Sequence, residues 1–196
     1  MKTYKLVLDD ETLGVFAISL VENPAVEYDF LYFSKDNKRL SFSIESEEEH
    51  IAFGVIMLAD TPIYRNNDVF GEHYVVFTKD VIKSITKKFF KNKTTDAITL
   101  QHLSPTSGVY MFESYLVDRE NGITPPNEFK DIPDGSWVGK FSIENEDVWQ
   151  SIKDGTFKGF SIEGEFKYDT NETVEIDNSL QFYKDLYKYL YTLNLN

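Results

Sequence analysis

The sequence predicts a mainly β protein with peripheral helices, its strands closed or nearly closed on one another. Three observations carry this. About ten short runs read as strands, many bounded by Gly, Pro, Asn or Asp. Only three segments space their apolar residues as helices do. There is no strand–helix alternation and no glycine-rich phosphate loop of the kind that marks a parallel α/β fold. The 196 residues suit one domain with a small appendage, divided here as 1–178 and 179–196. Apolar residues make up 41% and aromatics 15%, which is enough for a packed core.

The elements follow in order. Thr3 to Leu8 alternates loosely and reads as a strand. Gly14 to Val21 is an apolar run stopped by Glu22, Asn23 and Pro24. Asp29 to Ser34 is aromatic-rich. Ile51 to Leu58 is continuously apolar, as a strand buried on both faces should be. Tyr74 to Phe77 follows the turn-prone Arg65 to Asp68. Ala97 to His102, Val109 to Val117, Trp137 to Ile143, Phe157 to Phe166 and Thr173 to Ile176 complete the strands.

The first helix spans Lys79 to Lys91. Thr78 is its cap, and Ile82, Ile85 and Phe89 form its apolar stripe. The second spans Glu146 to Asp154, capped by Asn145 and ended by Gly155. The third spans Leu180 to Leu193, with Tyr183, Leu186, Tyr187 and Leu190 on one face. Asp118 to Ser136, with three prolines and two glycines, reads as a long exposed loop. Ser43 to His50, rich in glutamate, reads as another exposed connection.

Charge and composition narrow the function. The chain carries 33 acidic and 20 basic residues, a net charge of -13, which argues against non-specific nucleic-acid binding. It has no cysteine, so disulfides, zinc thiolate sites and cysteine nucleophiles are excluded. No apolar run approaches the roughly 18 to 20 residues of a membrane span. A soluble intracellular protein without cofactor or metal is the expectation, because no calcium-loop or paired-histidine spacing appears.

Only His50, His73 and His102 exist, so histidine acid–base chemistry must use one of them. His102 closes a strand beside a turn and shares a face with Ile98 and Leu100. Ser161 lies between Gly159 and Gly164 on the strand that follows the second helix. On that strand Phe160, Ile162 and Phe166 share one face, and Ser161, Glu163 and Glu165 the other. Strand glycines mark places where another backbone or a ligand comes close.

A set of segments carries a resemblance. They are Gly14–Ala25, Gly54–Arg65, His102, Glu113-Ser114, Gly135–Trp137, Trp149–Gly155 and Gly159–Gly164. In this order the chain resembles the phage prohead (capsid maturation) serine proteases, over about Gly14 to Phe166. The resemblance implies an antiparallel β-barrel similar to that of the herpesvirus assemblins. It implies that Ser161 is the nucleophile and His102 the general base.

Assemblin-like enzymes use a second histidine, and neither His50 nor His73 lies after the serine. A carboxylate is the natural substitute. Glu113 is the first candidate, Glu175 the second and Glu163 the third. Glu163 lies two residues, about 6.6 Å, along the strand from Ser161. Ser114 is a rival nucleophile without the flanking glycines. The implied substrates are phage scaffold and capsid proteins inside the immature capsid, in the cytoplasm of the bacterial host. Self-cleavage is usual in such families, and a homo-oligomer is a further expected partner. The alternative is a non-enzymatic phage structural protein on a related barrel, with the C-terminal helix as an assembly contact.

Overall fold

The computed structural model describes residues 1–9, 12–24 and 43–173. In chain order its strands are β1 (Thr3–Val7), β2 (Gly14–Val21), β3 (Ser43–Ser46), β4 (Ile51–Met57), β5 (Ile63–Asn67) and β6 (Gly71–Val76). After helix α1 (Lys79–Lys91) come β7 (Ile98–Leu100), β8 (Ser104–Thr106), β9 (Val109–Leu116) and β10 (Trp137–Ile143). Helix α2 (Glu146–Lys153) leads into β11 (Gly159–Glu165) and β12 (Lys167–Thr173). The expected strand at Asp29 to Ser34, the helix at Leu180 to Leu193, residues 179–196 and Glu175 lie outside the described residues.

The strands form three four-stranded sheets, ordered β12-β1-β6-β5, β3-β4-β10-β9 and β11-β2-β7-β8. This corrects two expectations. No closed barrel forms among the described residues. Nor is the arrangement wholly antiparallel, because β1 pairs with β6 and β2 with β7 in parallel. The chain leaves each of these strands for a different sheet before its partner is laid down, so no tight hairpin forces antiparallel pairing.

Local sequence explains the helices. Thr78 accepts the Val81 N–H at the start of α1, and Asn145 accepts the Val148 N–H at the start of α2. Each cap satisfies a donor that the first turn leaves free and contributes about 1 kcal/mol. Ile82, Ile85 and Phe89 of α1 and Val148, Trp149 and Ile152 of α2 are buried, as their spacing requires.

One large apolar cluster holds residues of all three sheets and both helices, with Trp137, Trp149, Phe89, Phe141 and Phe160 fully buried. Phe141 of β10 stacks on Phe160 of β11 with ring centroids 4.0 Å apart. That contact ties two sheets together directly beside Ser161.

The stretch from Asp118 to Ser136 is packed rather than free. Phe129 and Ile132 are buried in a second cluster with Phe53, Leu58, Val117 and Val138. Arg119 pins the stretch by donating to the carbonyls of Lys130 (2.6 Å) and Ile132 (2.9 Å) and pairing with Asp134. Four strands fall where the sequence shows little β signal. β3 lies in the acidic connection, β8 in the turn after His102, β5 runs through Arg65-Asn66-Asn67, and β12 starts well before Thr173. Ladder bonds to a neighbouring strand hold each of them, whatever the local propensity.

Two predictions follow from these contacts. A Cβ at Gly164 would sit 2.6 Å from the Phe166 ring and 2.9 Å from the Gly14 carbonyl oxygen. The ring can swing away, but the backbone oxygen cannot. Gly164→Ala should therefore cost about 1–3 kcal/mol in urea denaturation. Separately, the ion pair with Lys167 and the Thr12 N–H hold the Asp9 carboxyl down at about 2, against 3.8 for a free side chain. This stabilisation is complete above the unfolded value and fades as pH falls through the folded one. Asp9→Asn should flatten the acid limb of the stability curve between those two values and leave its shape at neutral pH unchanged.

Candidate active site

The site is built on the sheet β11-β2-β7-β8. β11 and β2 are antiparallel, with Ser161 opposite Ser19 and Glu163 opposite Ala17. β2 and β7 are parallel, with Ser19 opposite Thr99. Residues opposite one another in adjacent strands share a face. Ser161, Glu163, Ala17, Ser19 and Thr99 therefore share one face, and Phe160, Ile18, Leu20 and Ile98 turn to the other, into the main core. Ser161 is 8% exposed and Ser19 fully buried. No described residue hydrogen-bonds the Ser161 hydroxyl.

His102 joins this face through a turn. The strand ends at Leu100, and Gln101 and His102 take φ of +53° and +59°. Two consecutive left-handed residues turn the chain as a type I′ hairpin does, closed by the Leu103 N–H to the Leu100 carbonyl at 3.0 Å. A strand running on to His102, as the sequence predicts, would put its side chain on the face of Ile98 and Leu100. The turn instead brings His102 to the polar face.

Non-glycine residues pay a conformational penalty in this region, and such turns persist where neighbours over-determine them. Here Gln101 N–H donates to the Leu20 carbonyl at 2.9 Å, and Glu22 N–H donates to Gln101 Oε1 at 3.2 Å. His102 N–H donates to Ser19 Oγ at 2.9 Å.

The His102 ring meets a carboxylate. Its Nδ1 lies 3.3 Å from Glu163 Oε1, with the side chains 41% and 21% exposed. The Thr99 hydroxyl donates to the same Glu163 oxygen. Small Ala17, opposite Glu163, leaves room for that carboxylate to reach across β2 toward Thr99 and the turn.

The other histidines have structural partners. His50 stacks on Trp149 at 4.7 Å and contacts the Ile143 carbonyl through Nδ1. His73 is fully buried, with Nδ1 2.8 Å from the Gly71 carbonyl oxygen and Nε2 3.1 Å from the Tyr168 hydroxyl.

The remaining candidates lie elsewhere. Glu113 is on β9, in a different sheet, and ion-pairs with Lys140 at 3.2 Å. Glu45 pairs with the same ammonium at 2.8 Å, and these two carboxylates hold the Lys140 pKa above its ordinary value. The carboxylate at His102 is thus that of Glu163, not Glu113. Ser114, also on β9, accepts the indole N–H of buried Trp137 at 2.5 Å. Sequence reasoning passed over Ser19 and Thr99. Ser19 is the one hydroxyl inside the apolar run of β2, and that was the available signal.

No curated protein and no solved structure matches the chain. A family model does match, over residues 40–170, a span that holds His102, Ser161, Glu163 and Thr99 but not the Gly14–Ala25 segment. That span is well over half of the 196 residues, and the chain belongs to the family described as "Putative phage serine protease XkdF".

Proposed function

We propose that the chain is a serine endopeptidase that processes phage scaffold and capsid proteins within the immature capsid, in the host cytoplasm, and that it also cleaves itself. The observation that carries this reading is the pairing of His102 with Glu163, on the strand that also bears Ser161. His50 and His73 are engaged by the core, which leaves His102 as the base. Kinship with the assemblins belongs to the same reading.

The chemistry proceeds as follows. A proton on Nδ1, the ring nitrogen 3.3 Å from Glu163 Oε1, leaves the lone pair of His102 on Nε2. His102 Nε2 takes the Ser161 proton as Oγ bonds to the scissile carbonyl carbon. Glu163 stabilises the imidazolium so formed, and the Thr99 hydroxyl fixes the carboxylate. The tetrahedral intermediate collapses, the C–N bond breaks, and Nε2–H protonates the leaving amine. Water then repeats the sequence on the Ser161 ester, returning the proton to Oγ.

The test is co-expression with the neighbouring capsid and scaffold proteins, read by intact mass. Processing should be lost in Ser161→Ala and in His102→Ala. Glu163→Gln should lower the rate about 10²- to 10⁴-fold, because it removes the charge opposite the imidazolium. Glu113→Gln should leave the rate within about twofold, since Glu113 and its partner Lys140 lie on a different sheet from Ser161 and His102. Ser114→Ala should retain processing. No processing in the wild type would favour a non-enzymatic structural protein, and loss in Ser114→Ala alone would move the nucleophile to β9.

A further inference from the structure

Beneath the His102 turn lies a buried hydroxyl that the family match does not reach. Ser19 is fully buried, in the middle of a strand otherwise made of Gly, Ala, Val, Phe, Ile and Leu. A hydroxyl left unsatisfied there would destabilise the fold. It is satisfied by the turn: Ser19 Oγ accepts the His102 N–H at 2.9 Å. Its own hydrogen is then free for the Thr99 carbonyl at 3.4 Å or the Leu20 carbonyl at 3.5 Å. Ser19 also stands directly across the ladder from Ser161. One side chain therefore touches the backbone of the proposed base and neighbours the proposed nucleophile.

The geometry points to Ser19 as a positioning residue for His102. This inference rests on the protease reading and names a residue that acts through the base. The left-handed backbone of His102 is intrinsically unfavourable, and the Ser19 bond is the side-chain contact that holds it there. The ring direction follows the backbone, so releasing that bond lets the imidazole leave Glu163 Oε1. Thr99 does the complementary work by fixing that carboxylate from below. Together the two hydroxyls hold both partners of the His102–Glu163 contact.

Two kinds of readout test this. In the wild-type protein the His102 amide should exchange at least about tenfold more slowly than a free turn amide, as a held N–H does. In ¹⁵N NMR the wild-type imidazole should show mainly the Nδ1–H tautomer. Ser19→Ala should shift the ring nitrogens toward a tautomer mixture and lower kcat about 10- to 100-fold, with KM little changed. Ser19→Thr, which keeps an acceptor oxygen, should restore both signals. An unprotected His102 amide would overturn the inference even if Ser19→Ala failed to fold. So would an unchanged tautomer and kcat in a folded Ser19→Ala. A wild type without proteolysis but with the tautomer shift in Ser19→Ala would sink the protease reading and leave the positioning role standing.

Discussion

The contact between Phe160 and Phe141 fixes the geometry of everything around the site. Side chains alternate along a strand, so anchoring one residue assigns the face of its neighbours. Phe160 is buried against Phe141 across two sheets. Ser161 must then face the opposite way, and Glu163 with it. A one-residue slip of β11 would bury the serine and the glutamate in the core and expose two large apolar side chains. The ladder with β2 carries that choice across to Ser19 and, through β7, to Thr99.

The second constraint is the left-handed turn at Gln101 and His102. A strand continued through His102 would send its ring to the core face. Two positive-φ residues redirect it toward Glu163. Hydrogen bonds from Gln101 and His102 to β2 hold this backbone, so the strand that pairs with Ser161 also holds the proposed base. The charges separate accordingly. Glu113 pairs with Lys140 inside the β3-β4-β10-β9 sheet, whereas Glu163 meets a half-exposed imidazole and a threonine hydroxyl. A carboxylate with that environment is suited to stabilising an imidazolium as it forms.

Much of this was legible in the chain. Both described helices start where Thr78 and Asn145 cap them, because capping is a local interaction. β4 and β10 follow their apolar runs. The alternation of Phe160, Ser161 and Glu163 was readable, and so was the small set of histidines. What was not readable depends on pairing between distant segments. β3, β8 and β12 have weak propensity and exist through their ladders. Among the described residues, two parallel strand pairs and three open sheets stand in place of the expected barrel, since the sheet partner of a strand is not written in its own residues. Glu163 is the third candidate by spacing because spacing does not show that β2 sets small Ala17 opposite it, over which its carboxylate reaches Thr99 and His102. Ser19 and Thr99 act through bonds to a turn and a carboxylate about 60 to 80 positions away, which no local pattern reveals.

The central claim is that Ser161 is a nucleophile activated by His102. The most direct measurement is labelling with a fluorophosphonate, which bonds covalently to activated serine hydroxyls, followed by peptide mass mapping. The account predicts one adduct, on Ser161, in the wild type and none in His102→Ala. An adduct on Ser114, an adduct on Ser161 that persists in His102→Ala, or no adduct at all would contradict it.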